Sequence, residues 1–243
     1  MESTATIGFI TGLDPLYFLF VGPAMLLALW AQFKVKRAFN HALQIPARSG
    51  MNGAEASQAL LYANGIRNVN IEMVEGKMSD HYDPTRKVLA LSQDVYHGRS
   101  LASLGVAAHE AGHAIQDKEN YGPLRMRNGL VPLASVGGNL SMLFIIGGMI
   151  MAAAGGALGQ WLFIAGIALF SLTVIFQLIN LPVEFDASNR AKKLLVSSGI
   201  IGDDELPEVR RVLTAAAMTY VAATLTAVLT LLYYVFRASQ SRE

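Results

Sequence analysis

The 243-residue chain contains no cysteine, and charged residues make up only 15% of it. The absence of cysteine excludes disulfides and any metal site with thiolate ligands. A soluble domain has roughly a quarter of its residues charged, so this low charge content, together with 53% hydrophobic residues, indicates a membrane protein. The formal net charge of +1 gives no basic surface of the kind that binds nucleic acid, so nucleic acid is not expected as a partner.

Four apolar runs are long enough to cross a bilayer, which takes roughly 17–25 apolar residues in a helix. They are residues 15–31, 130–154, 158–181 and 212–236. Pro23 lies inside the first run, where it can kink a helix. Gly155 and Gly156 separate the second and third runs, which predicts a tight helical hairpin. Basic residues follow the first run instead of preceding it, so we interpret this run as a retained anchor and not as a signal peptide.

The positive charges predict the orientation of the chain in the membrane. Of the 19 lysines and arginines, all but Arg237 and Arg242 lie in residues 32–129 and 182–211. Loops on the cytoplasmic side of membrane proteins are enriched in Lys and Arg. These two segments are therefore predicted to be cytoplasmic, with both termini on the other side of the membrane.

These boundaries divide the chain into five parts. They are an N-terminal transmembrane helix and its flank (1–37), a cytoplasmic domain (38–129), a transmembrane helical hairpin (130–181), a second cytoplasmic segment (182–211) and a C-terminal transmembrane helix with its tail (212–243). The predicted fold class is a mainly α membrane protein, with about four transmembrane helices and a small α+β cytoplasmic domain.

The cytoplasmic domain contains signals for both helix and strand. Residues 51–65 predict a helix that Asn52 caps and Gly65 terminates. Residues 69–73 alternate between apolar and polar side chains, which is the strand period, and residues 87–92 predict a second strand. Since turn residues lie between them, we expect the two strands to form a β-hairpin with a broad tip.

The stretch "GVAAHEAGHAIQD", residues 105–117, predicts a buried helix with Ser100 as its N-cap. His109 and His113 are four residues apart, which places both imidazoles on one helical face. Two neutral imidazoles at that spacing can bind one Zn²⁺ at about 2 Å each. Glu110 lies one position further round, where it can take a proton from water beside the metal. Three buried polar groups each need a partner, and one metal site would satisfy all three, so we favour a zinc site over a purely structural explanation.

A catalytic zinc has three protein ligands and one open position. Glu184 follows the third apolar run and Pro182, and the predicted topology returns it to the membrane face of the histidine pair. Two histidines and one glutamate are a known catalytic zinc set. Asp186 lies two residues further along the chain, so it remains an alternative third ligand.

Other polar residues near Glu184 and elsewhere in the soluble part could support the site. Candidates by position for orienting the histidines by hydrogen bonds are Asp186, Ser188 and Asn189. Arg190 is a candidate for stabilising an oxyanion, although a basic residue at the membrane interface explains it equally well. His81 and His97 are candidates as electrophile or ligand, but a surface-loop position is favoured for each.

Three sequence stretches resemble one known family. "SDHYDP", "LSQDVYHGRSLASLGVAAHEAGHAIQ" and "LPVEFDASNRA" are similar to the bacterial YugP-type membrane zinc metallopeptidases, also called neutral zinc metallopeptidase family 2. The similarity runs from about residue 15 to the C-terminus. More distantly, the layout resembles the HtpX and CAAX prenyl protease gluzincins, whose site faces the cytoplasm.

The resemblance implies a zincin-like cytoplasmic domain with one Zn²⁺ per chain, bound by His109, His113 and Glu184, and Glu110 as the catalytic base. In the HtpX group, an aspartate four residues after the ligand glutamate supports a ligand histidine. Ser188 stands at that position here, so Asp186 or Asn189 would take the role.

These observations predict an integral-membrane zinc endopeptidase in the bacterial cytoplasmic (inner) membrane, with its active site facing the cytoplasm. Its partners would be the lipid bilayer and membrane-associated proteins or peptides as substrates, with residues 88–92 pairing with the substrate backbone. By analogy, its role would be quality control of membrane proteins. The alternative is a zinc-stabilised membrane scaffold or adaptor that does not cut its partners. A homo-oligomer or a partner membrane protein is left open by the sequence.

Overall fold

The structure, a computed structural model, describes residues 14–240 and is mainly α-helical. In chain order the elements are α1 (Pro15–Leu43), α2 (Gly53–Ala63), β1 (Asn70–Val74), β2 (His81–Asp83), β3 (Val88–Ser92), α3 (Gln93–Tyr96), α4 (Leu101–Lys118), α5 (Gly122–Ala153), α6 (Ala157–Ser197) and α7 (Leu206–Gln240). The first 13 residues of the predicted N-terminal part, and Arg242 in the C-terminal tail, lie outside the described residues.

Helices α1, α5, α6 and α7 are each long and apolar enough to cross a membrane. They cover the four predicted apolar runs apart from Ala154, so the expectation of about four candidate membrane-spanning helices is confirmed. Many of their large apolar side chains are exposed, among them Leu19 and Trp161 at 71% each, which is the kind of surface that lipid covers. Gly155, with φ of 80°, lies in the short turn between α5 and α6, so these two helices are joined by the tight turn that the sequence predicted.

The chain forms two compact units. The first comprises the described residues up to Trp30, Met126–Asn180 and the described residues from Tyr220 onward. Its core includes Tyr233, whose hydroxyl donates to Asp14 Oδ2 at 2.6 Å. The second comprises Ala31–Arg125 and Leu181–Thr219, and it contains the sheet, α2, α4 and all the predicted site residues.

A three-stranded sheet lies in the second unit, with strand order β1-β3-β2. Strand β1 runs parallel to β3, with Asn70 opposite Val88, and β2 runs antiparallel to β3, with His81 opposite Ala90. All five residues of β3 are buried. The hairpin in this domain therefore joins β2 to β3, and its turn is closed by Asp83 Oδ1, which accepts from the backbone N–H of Thr85 at 2.8 Å.

The expected hairpin between residues 69–73 and 87–92 is wrong in its pairing. Parallel strands cannot be joined by a tight turn, and the chain after β1 first forms β2 on the far side of β3. The alternation of side chains identified β1 as a strand, but it carried no information about the direction of its partner. Because β3 is paired on both edges, the expectation that residues 88–92 pair with a substrate is also wrong. The edges that remain open within the described sheet belong to β1 and β2.

Both helices that the sequence predicted in the second unit are present, and each begins at its predicted capping residue. Asn52 Oδ1 accepts from Glu55 N–H, and a Glu55 carboxylate oxygen accepts from Asn52 N–H, each at 2.8 Å. Ser100 Oγ accepts from Ser103 N–H at 3.1 Å at the start of α4. As expected, α4 is buried along most of its length.

Helix α6 continues through Pro182, where the sequence suggested that a membrane span ends. The helix has 41 residues, and Glu184 lies in its interior. Proline removes one backbone hydrogen bond from a helix and crowds the preceding turn, but here the helix tolerates that cost. The consequence is that Glu184, Asp186 and Ser188 are all held on a rigid helical element.

Candidate metal centre

Two helices of the second unit bring three potential metal ligands together. Helix α4 presents His109 and His113 on one face, and α6 presents Glu184. Glu184 Oε2 lies 3.2 Å from His109 Nε2 and 3.7 Å from His113 Nε2, and the donor atoms of all three residues lie within 4.8 Å of one another. Tetrahedral zinc with bonds of about 2.0–2.2 Å places its ligand atoms roughly 3.4 Å apart, so this spacing suits one zinc ion.

The second nitrogen of each imidazole already has a partner. His113 Nδ1 lies 2.9 Å from Gln116 Oε1, and His109 Nδ1 lies 3.2 Å from Ser188 Oγ. In a neutral imidazole one nitrogen donates a hydrogen bond while the other keeps its lone pair. With both Nδ1 atoms engaged, the two Nε2 atoms face Glu184 and can bind a metal. Two imidazoles and one carboxylate are a donor set that zinc accepts, so the residues fit this ion.

Gly112 allows the two helices to approach closely. A Cβ atom at this position would lie 2.9 Å from the carbonyl oxygen of Ala187 and 3.3 Å from its Cα. Ala187 is one turn along α6 from Glu184, so the contact between Gly112 and α6 sets how near Glu184 comes to the histidines. Gly112, which lies between His109 and His113 in the chain, therefore allows α4 to pack closely against α6.

Glu110 lies on α4 next to His109 and is only 8% exposed. Burial raises the pKa of Glu110 to about 7, and the negative charges of Glu184 and Asp80 act in the same direction, while His109 opposes them. A bound dication would favour the carboxylate form. A carboxyl group in such surroundings can accept and release a proton, which is the requirement for a general base.

The segment before β2 also acts on Glu110. Asp80 Oδ1 accepts from Ser92 N–H at 2.7 Å and from the Ser92 hydroxyl at 3.0 Å, and burial raises the pKa of this carboxyl. His81 is exposed, and its Nδ1 is 2.8 Å from the Ser79 carbonyl oxygen. The charges of Asp80 and His81 both influence Glu110. His81 therefore lies near the site, although it is not one of the three clustered ligands, and neither is the exposed His97.

The candidate supporting residues on α6 fall in different places. Glu184, not Asp186, lies against the histidine pair. Ser188 contacts His109, whereas Asp186 accepts from Gln116 Nε2 at 2.8 Å and from Arg190 Nε at 2.5 Å. Asn189 is exposed.

Sequence reasoning missed Gln116. Its side chain is fully buried and touches His113 directly. The available signal was its spacing, since a residue three positions after His113 lies on the same face of the helix. An amide at such a position can orient a histidine, but the sequence does not reveal what the rest of the amide contacts.

Comparisons with known proteins agree with this geometry. A family model described as "Putative neutral zinc metallopeptidase" matches residues 17–239. A protein of Bacillus subtilis (strain 168) described as "Putative membrane protease YugP" is 46% identical over 227 residues, which cover 93% of this chain and 98% of the relative. No solved structure matches the chain significantly. The relative's name and the four apolar helices agree that this is a membrane protein. Since the matched range contains nearly the whole chain, including both histidines and Glu184, the protein belongs to this neutral zinc metallopeptidase family.

Proposed function

We propose that the protein is an integral-membrane zinc endopeptidase that cuts membrane-associated proteins at the cytoplasmic face of the bacterial cytoplasmic membrane. The observation that carries this proposal is the convergence of His109, His113 and Glu184 donor atoms within 4.8 Å, beside the buried carboxyl group of Glu110. Membership of a zinc metallopeptidase family supports it.

His109 and His113 would hold one zinc ion through Nε2, and Glu184 would hold it through Oε2. Three protein ligands leave one coordination position for water or substrate. When bound, zinc supplies a Lewis acid that polarises a carbonyl group and lowers the pKa of water. The same ligand set without a base would suit a structural ion, so Glu110 is what makes the site catalytic in this proposal.

Glu110 acts as general base and then as general acid. It accepts a proton from the water molecule whose oxygen attacks the carbonyl carbon of the scissile peptide bond. It then delivers that proton to the leaving nitrogen as the C–N bond breaks. One water molecule is consumed for each bond, and the products are a new carboxyl group and a new amino group.

Substrate backbone would add to the open edge of β2. This strand ends the sheet on the side away from β1, and the charge of its His81 influences Glu110. Addition of a strand to a sheet edge selects extended, unfolded segments with little side-chain code. Such a preference suits quality control of membrane proteins, and the distribution of lysine and arginine supports a cytoplasmic location for the site.

The test compares wild type with Glu110→Gln on an unfolded protein substrate, using full-length protein in detergent loaded with zinc. We expect wild type to cleave and Glu110→Gln to be slower by about 10²–10⁴-fold, with the same zinc content in both. Glu72→Gln, on the exposed surface of β1, serves as a matched control and should cleave like wild type. Cleavage by Glu110→Gln at the wild-type rate would overturn the mechanism. Zinc-loaded wild type that cuts none of a panel of unfolded and membrane-protein substrates would favour the scaffold.

A further inference from the structure

We infer that Gln116 is a positioning residue of the metal centre, which fixes the tautomer of His113 and is itself oriented by Asp186 and Arg190. This role depends on the proposed zinc site, but it does not depend on the proposed cleavage of peptides. No hydrogen-bond partner of the zinc ligands was expected at position 116, and Asp186 was one of three candidates for orienting a histidine directly.

The hydrogen bond between Gln116 and His113 has a fixed direction, with the histidine as donor and the amide oxygen as acceptor. Gln116 Oε1 lies 2.9 Å from His113 Nδ1, and an amide oxygen can only accept. The imidazole must therefore carry its proton on Nδ1, which leaves the lone pair on Nε2, the atom that faces Glu184. If the amide were turned over, its NH₂ group would face Nδ1, and the ring would have to place its proton on Nε2. That tautomer cannot bind a metal through Nε2.

Two acceptors prevent the amide from turning over. Gln116 Nε2 donates to the Val183 carbonyl oxygen at 2.9 Å and to Asp186 Oδ2 at 2.8 Å. In the reversed orientation the amide oxygen would face both of these acceptors. Since Gln116 is fully buried, water would not compensate for the lost hydrogen bonds, and the penalty would be that of unsatisfied buried polar groups.

Arg190 holds Asp186 in its acceptor role. Arg190 Nε donates to Asp186 Oδ2 at 2.5 Å, and another guanidinium nitrogen donates to Glu119 Oε2 at 2.6 Å. The same guanidinium lies over the ring of Tyr121, 5.9 Å from its centre. Asp186 Oδ2 thus accepts from two donors at once, Arg190 Nε and Gln116 Nε2. Donors and acceptors thus alternate from Glu119 through Arg190, Asp186 and Gln116 to His113.

His109 has no comparable constraint. Its Nδ1 partner is the hydroxyl group of Ser188 at 3.2 Å, and a hydroxyl group can either donate or accept. Ser188 therefore supports the ring without choosing its tautomer. We expect Ser188→Ala to weaken zinc binding less than substitutions at Gln116, which separates tautomer selection from simple contact.

The test measures the zinc dissociation constant of the full-length protein in detergent by competition with a chromophoric chelator. Gln116→Leu removes the acceptor for His113 and should weaken zinc binding by about 10–100-fold. The double variant Gln116→Glu with Asp186→Asn exchanges the carboxylate and the amide. The new carboxylate accepts from His113 and from the new amide at position 186, whose oxygen still accepts from Arg190. The hydrogen bond to the Val183 carbonyl oxygen is lost in this double variant, so it should recover part of the lost affinity.

A second zinc-affinity experiment tests the role of Gln116 even if Gln116→Leu does not fold. Asp186→Asn alone leaves Gln116 in place but allows its amide to turn over, because the new amide at position 186 can donate as well as accept. We expect it to weaken zinc binding, and we expect Gln116→Glu in the same chain to restore part of the affinity.

Three results would overturn the inferred role of Gln116. The first is a wild-type zinc affinity in Gln116→Leu together with a lowered thermal midpoint of the metal-free protein, which is the signature of a purely structural residue. The second is a double variant that binds zinc no better than the single variants. The third is a wild-type protein with no zinc site at all. If wild type binds zinc but cleaves nothing, the proposed endopeptidase fails while the affinity comparison still decides the role of Gln116.

Discussion

Individual side chains determine what the centre can do, because each ligand has two atoms that could face the metal. Both histidines present Nε2 to Glu184, since Gln116 and Ser188 occupy their Nδ1 atoms. Burial is what makes these contacts selective, because a buried polar group without a partner costs free energy. The polar residues of an otherwise apolar helix therefore form one connected set, and changes to any of them are expected to act on the others.

Asp80 offers a test of burial near the site. Burial raises its pKa above the ordinary value of 3.8, so the folded state keeps this proton to a higher pH than the unfolded state does. The contribution of Asp80 to stability is then greatest below 3.8 and is lost as pH rises through the folded value. Asp80→Asn keeps partners for Ser92 without the charge. We expect its thermal midpoint in detergent at neutral pH to equal or exceed that of wild type, with a smaller loss between mildly acidic and neutral pH.

Asp83 is the matched control, because its pKa is shifted the other way. Backbone N–H donors of Arg86 and Thr85 lower the pKa of Asp83. Its contribution to stability is present above the ordinary value of 3.8 and is lost as pH falls through the folded value. Asp83→Asn should therefore lose stability at neutral pH and differ less from wild type in acid. If both variants shift in the same direction, burial is not what distinguishes Asp80.

The packing of α4 against α6 sets the distance between the histidines and Glu184. This packing depends on Gly112, because a Cβ atom there would meet the backbone of Ala187 at 2.9 Å. Backbone cannot move aside as easily as the end of a side chain. The two helices would have to separate, and the ligand from α6 would move away from the pair on α4.

We expect Gly112→Ala to weaken zinc binding and to lower the thermal midpoint of the metal-free protein. The matched control is Gly129→Ala in helix α5, where a Cβ atom would meet nothing within 4 Å. Alanine is favoured over glycine inside a helix by about 1 kcal/mol, so the control should be neutral or more stable. Zinc affinity and thermal unfolding of both variants provide the comparison. Equal behaviour of the two variants would show that close helix approach does not control the site.

The elements that sequence reasoning predicted correctly are those specified by neighbouring residues. Asn52 with Glu55, and Ser100 with Ser103, cap their helices within a single turn. Strand β1 was recognised by its alternation, but the direction of its pairing depends on β3, which lies beyond β2 in the chain. Local signals contain no such information.

The candidate site shows the same division. His109, Glu110 and His113 form a local pattern on one helix, and Glu184 stood out as a carboxylate after an apolar run. Gln116 was missed because its importance depends on contacts with Val183 and Asp186, which lie 67 and 70 residues away. The third apolar run ends at Leu181, and the sequence did not show that helix α6 continues beyond it to Ser197.

The orientation of the whole molecule in the membrane can be tested directly, because the chain contains no cysteine. Single cysteines can be placed at the exposed positions Thr85, Ser197 and Ser239. In bacterial cells treated with a membrane-impermeant maleimide, we expect Ser239→Cys to be labelled in intact cells. Thr85→Cys and Ser197→Cys should react only after the membrane is opened, since basic segments stay in the cytoplasm. The reverse pattern would place the site outside the cytoplasm, and the cysteine-free parent gives the background.

The most direct test of the account is the zinc affinity of single histidine and glutamate variants. We expect His109→Ala, His113→Ala and Glu184→Ala each to lose tight zinc binding, because each removes one of three converging donor atoms. His81→Ala and His97→Ala, at the exposed histidines of the same unit, should bind zinc as wild type does. Wild-type affinity in Glu184→Ala, or a loss in His81→Ala as large as that in His109→Ala, would contradict the proposed centre.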